Sequence, residues 1–94
     1  MATTYVNEIS IIYYYEAGNN SAKRRSFTKT RAACAKARAL GLTPDTFHDP
    51  EKGICIASCV GTKPKLLELA KKILNSYEGE VEVTINKRLR GEKE

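Results

Sequence analysis

Three consecutive tyrosines, Tyr13, Tyr14 and Tyr15, stand one short turn ahead of three consecutive cations, Lys23, Arg24 and Arg25. Aromatic rings stack on bases and cations neutralise phosphates, so this neighbourhood carries the chemistry of nucleic-acid binding. A second group of cations, Lys87, Arg88 and Arg90, closes the sequence. Catalytic chemistry has less to draw on. His48 is the single histidine and adjoins Asp49; the thiols are Cys34, Cys55 and Cys59. A His–Asp pair can orient a base and a thiol can attack, but each cysteine lies in an apolar stretch where burial keeps it protonated. His48 lies outside any metal-ligand spacing, so no metal is expected. "VGTKPK" brings Lys63 and Lys65 to a helix start without the glycine pattern of a phosphate loop. The expectation is a protein that binds and does not catalyse, with no cofactor.

The totals agree. The chain has 94 residues and a net charge of +5, with 41% hydrophobic and 29% charged residues. That length makes one domain, with a core over about residues 4–87 and a charged, frayed tail over 88–94. A basic balance favours an acidic partner. Cys55 and Cys59 share a predicted strand and stand roughly 13 Å apart, too far for a disulfide. Three free thiols point to a reducing cytoplasm. "MATTYVNEIS" lacks the pattern of a secretory signal, and no apolar run reaches the length of a membrane span.

The elements that must position these groups follow from periodicity. Residues 5–16 alternate as a strand, with Ile9, Ile11, Tyr13 and Tyr15 on the core face and Ile12 and Tyr14 on the other. "AGNN" can turn the chain back, making residues 22–27 an optional edge strand of cationic character. A helix then runs from a cap at Thr28 or Thr30 to Gly41, with Ala33, Cys34, Ala37 and Leu40 inward. Ala32, Ala35 and Ala39 form an outward stripe, flanked by Lys29 and Lys36 on one side and Arg31 and Arg38 on the other. Thr46–His48 is a short strand, "HDPEKG" a turn closed by Gly53, and Ile54–Val60 a central strand. A second helix starts at Thr62 or Lys63 with Pro64 in its first turn, has Leu66, Leu67, Ala70, Ile73, Leu74 and Tyr77 as its apolar stripe, and ends at Gly79. "EVEVTIN" makes the last strand.

Without the edge strand the order is β-α-β-β-α-β. This predicts an α+β two-layer sandwich of ferredoxin-like type, an antiparallel sheet with both helices on one face. The order resembles that of RNA-recognition domains, and "KGICIASCV" opens like their third strand, with Lys52 and Gly53. It then carries Ile54 and Ile56 where stacking rings belong. The likeness is one of topology, and its departure falls on the residues that would stack.

Two functions follow as expectations. One is a basic module that holds nucleic acid or a nucleoprotein mainly by phosphate contacts, through Lys23, Arg24, Arg25, Tyr14, Lys87, Arg88 and Arg90. The other is a protein-interaction module. It would use Ala32, Ala35, Ala39, Arg31 and Arg38 to meet a protein partner or a second copy as a homodimer. Phage and mobile-element inhibitors of host defence complexes, of anti-CRISPR type, are of this size.

Overall fold

The computed structural model describes residues 5–76 and 81–89, with the side chains of Ser76, Arg88 and Leu89 left out of account. Its elements are β1 (Tyr5–Tyr14), α1 (Asn20–Ala39), β2 (Asp45–Asp49), β3 (Ile54–Gly61), α2 (Lys63–Ser76) and β4 (Val81–Leu89). The strands form one antiparallel sheet in the order β2-β3-β1-β4. The chain has the ferredoxin-like β-α-β-β-α-β architecture, with both helices packed on one face of the sheet.

The core rests on two kinds of packing. Across β1, Ile9 pairs with Cys59 and Ile85, Ile11 with Ala57 and Val83, and Tyr13 with Cys55 and Val81. Cys55, Ala57 and Cys59 thus put only small side chains on the inner face of β3. Ala33, Cys34 and Ala37 of α1 meet them, all buried. Small against small lets α1 settle close to the sheet. The larger inner side chains of β1 and β4 are covered by Leu66, Leu69 and Ile73 of α2. Burying one such leucine or isoleucine contributes roughly 1.5–3 kcal/mol.

The α2 stripe is rotated from the predicted one. Leu69 is fully buried, whereas Leu67 and Leu74 are 48% and 55% exposed. Two overlapping apolar stripes satisfy the same helical period, and the sheet below selects the one centred on Leu66, Leu69 and Ile73. Tyr77 and Gly79 lie outside the described residues.

The larger departure concerns residues 20–27, which form the first two turns of α1 and no edge strand. Asn19 is the reason. Its side-chain oxygen accepts from the Ala22 amide at 3.0 Å, and its carbonyl accepts from the Lys23 amide at 2.9 Å. Asparagine is as good a helix N-cap as a turn residue, and Ala, Lys and Arg after it are strong helix formers. Thr28 and Thr30, expected as caps, instead lie within the helix. Their hydroxyls donate to the Arg24 carbonyl at 3.1 Å and the Ser26 carbonyl at 2.7 Å.

The other ends form as expected. At the C-terminus of α1, Gly41 has φ +82, its amide donates to the Arg38 carbonyl, and the Leu42 amide donates to the Ala37 carbonyl. This pair of bonds is the Schellman arrangement. In the β2–β3 turn, Asp49 accepts from the amides of Glu51 and Lys52 at 3.1 and 3.3 Å, and the Gly53 amide donates to the Asp49 carbonyl. β4 continues to Leu89, two residues into the expected tail.

Candidate nucleic-acid interface

With the chain folded, its charges separate by layer. α1 carries seven cations and no carboxylate; α2 carries four lysines and only Glu68. Eleven of the chain's sixteen cations and one of its eleven carboxylates therefore lie on the helices, a net +10 there against −5 for all other residues. A modest overall charge conceals a strongly basic layer.

On α1 the cations fall into rows. At about 100° per residue, positions seven apart lie nearly above one another, about 10 Å along the axis. Arg24, Arg31 and Arg38 make one such row, all exposed. Lys29 and Lys36 make a second, which Arg25, one turn before Lys29, extends; Arg25 is exposed and both lysines are half-buried. Between the rows run Ser21, Thr28, Ala32, Ala35 and Ala39, all exposed and none longer than threonine. Lys23 lies outside both rows, half-buried on the flank where Phe27 meets β2.

The two sets of residues that the sequence suggested for different partners thus meet in part. Arg24 and Arg25 share the outer face of α1 with Arg31, Arg38, Ala32, Ala35 and Ala39, while Lys23 lies on the flank of the same helix. Three arginines at seven-residue spacing behind an N-capping asparagine were the available signal. Tyr14 is not part of this surface. Register places it across from Ile54, on the sheet face that the helices leave open. It is 42% exposed there, and its hydroxyl donates to Glu82 Oε1 at 2.5 Å. Lys87 is exposed on β4, Arg88 is placed by its backbone alone, and Arg90 lies outside the described residues.

The open face has its own character. Phe47, not singled out by sequence, is 59% exposed and pairs with Ile56, which pairs with Ile12. Glu8, Asp45, Asp49 and Glu82 occupy the same face by register, against a single cation position among the described strand residues, Arg88. The excess of carboxylates repels phosphate, so this side suits a polyanion less than the helix layer does.

His48 sits at the other end of the chemistry. It pairs with Cys55 across β2 and β3, on the inner face. Its Nε2 is hydrogen-bonded to the Tyr15 hydroxyl at 2.6 Å, and the Phe27 ring stands edge-on to it at 4.7 Å. Burial pushes the Tyr15 hydroxyl upward, with Cys55 and Asp49 adding to it. Burial likewise raises all three thiols; a hydrogen bond with Thr30 offsets part of this at Cys55, and Arg38 part at Cys34. A protonated buried thiol beside an imidazole already bonded to a phenol is a poor nucleophilic pair. Among the described residues no group of three His, Cys, Asp or Glu side chains could hold a metal ion. No helix among them is long and apolar enough to cross a membrane.

Known proteins resemble this chain in fold alone. No protein-family model and no curated protein matches it. Among solved structures, a protein named for its likeness to PII signaling proteins, from Thermus thermophilus, superposes with a TM-score of 0.52. The two are 13% identical over 96% of this chain and 92% of the other. Rv0793 from Mycobacterium tuberculosis gives 0.54 at 14% identity over 95% and 99% of the two chains. The de novo designed protein Foldit4 gives 0.56 at 13% over 93% and 98%. That a designed chain shares the architecture shows how little the fold fixes about function.

Proposed function

We propose that this chain is a non-enzymatic binding module that holds nucleic acid, alone or in a nucleoprotein, through the outer face of its helix layer. The observation that carries the reading is the charge separation: seven cations and no carboxylate on α1, beside four lysines on α2. Helices of ordinary surface proteins mix signs, because pairs of opposite charge three or four residues apart support them. α1 forgoes such pairs within itself, since it contains no carboxylate, and an anion laid along it would relieve the repulsion among its cations. Binding of this kind neutralises phosphates and carries little base readout.

The test is a titration of a random-sequence oligonucleotide at increasing salt. Affinity should fall by orders of magnitude between low and moderate salt. Absence of binding at low salt removes the reading.

A second reading is supported by the exposed stripe Ala32, Ala35 and Ala39. A flat strip of small apolar residues rimmed by arginine also suits a protein, including a component of a host defence complex. Under that reading a nuclease-resistant complex forms, and Ala35→Glu with Ala39→Glu abolishes it while the fold persists.

A further inference from the structure

We infer that the nucleic acid held by α1 is duplex DNA, with the helix lying along the major groove and its two cation rows astride it. This rests on the reading just given and makes it specific. Three features of the surface carry it.

The first is what the basic layer lacks. Non-specific binding of single strands combines a cationic groove with rings on which bases stack. Among the described residues the rings lie elsewhere: Tyr5 and Tyr13 on β1, Tyr13 within the core, Tyr14 and Phe47 on the open sheet face, Tyr15 and Phe27 against His48. The outer face of α1 offers charge without a stacking platform, which suits a partner whose bases are already stacked.

The second is the pair of rows. Arg24, Arg31 and Arg38 are separated from Arg25, Lys29 and Lys36 by a wide angle around the helix. A helix with its side chains is about 10–12 Å across, close to the roughly 12 Å width of the B-form major groove. Each row then faces the phosphates of one strand. α1 has 20 residues, so it spans about 30 Å, the length of roughly nine base pairs.

The third is the stripe between the rows. Nothing on it exceeds threonine, so the helix can approach the groove floor without displacing a long side chain. The same stripe offers only hydroxyls and methyl groups to the base edges, so sequence preference is weak. In A-form RNA the major groove is too deep and narrow for such a helix.

The experiment compares fluorescence-anisotropy titrations of a short duplex DNA, its single strand and the RNA duplex of the same sequence, at one low salt concentration. Duplex DNA should bind at least tenfold tighter than either alternative. Guanine N7 should be protected from dimethyl sulfate in the complex. Ala32→Leu with Ala35→Leu, which suits a helix and fills the stripe, should weaken duplex binding about tenfold with helix content unchanged. Tightest binding to the single strand or the RNA duplex, unprotected N7, or full affinity in the leucine variant overturns the inference and leaves phosphate binding by the helix layer standing. Failure of all three nucleic acids to bind removes that broader reading, and the inference with it.

Discussion

Tyr14 and Arg25 lie eleven positions apart in sequence and on opposite layers of the fold: Tyr14 on the open sheet face, Arg25 on the outer face of α1. The hydroxyl of Tyr14 is directed to Glu82, while Arg25 stands in a row of cations. What looks like one aromatic–cationic motif in the sequence is divided by the thickness of the protein.

The first prediction concerns that division. Tyr14→Phe removes the bond to Glu82 at an exposed position and costs about 0.5–1.5 kcal/mol by urea unfolding. It should leave nucleic-acid affinity within twofold of the parent. A loss of tenfold or more would place the tyrosine in the interface after all.

Asn19→Ala tests why residues 20–27 are helical. Loss of the cap should cost about 0.5–2 kcal/mol. Amide exchange should quicken most over the first turns of α1, near Ala22 and Lys23, whose amides donate to Asn19. Uniform exchange changes along the whole helix would mean that the cap is not what starts it.

Gly53 has φ +71, and a Cβ there would run into the carbonyl oxygen of Tyr15. Its own carbonyl accepts from the Tyr15 amide at 2.9 Å, tying the β2–β3 turn to the end of β1. Gly53→Ala is expected to destabilise by about 1–3 kcal/mol, through strain and the displaced contact together. A melting temperature equal to that of the parent would contradict this.

The buried thiols give stability a pH dependence of definite sign. Burial raises each above the ordinary 9.0, so the unfolded chain ionises first and binds fewer protons. Their contribution is complete below about pH 9 and declines as pH rises through the folded-state values, by at most about 1.4 kcal/mol per pH unit per thiol. Urea unfolding between about pH 8 and 10.5 measures the slope, and Cys55→Ala should make it shallower. Stability that rises across this interval would be the opposite sign.

Much of this fold was legible because its signals are local. The alternation of β1, the Asp49 to Gly53 turn and the Gly41 helix end each depend on a few adjacent residues. The misread parts depend on competition. Asn19 can serve a turn or a cap, and only the helix formers after it decide which. Leu67 and Leu69 both fit a helical stripe, and only the sheet decides between them. The candidate surface was half visible for the same reason: its cations were all apparent, but joining Arg24 to Arg31 and Arg38 required knowing that α1 begins at Asn20.

On the proposed function the helix layer, and not the open sheet face, meets the polyanion. The salt dependence of duplex DNA affinity separates the two faces in two variants, each checked for an unchanged melting temperature. Arg24→Gln, Arg31→Gln and Arg38→Gln together should weaken binding and make the plot of log affinity against log salt shallower by about 2–3. Glu8→Gln, Asp45→Asn and Glu82→Gln together should leave that slope as it is. A slope untouched by the three arginines, or made steeper by the three carboxylate changes, would contradict the account.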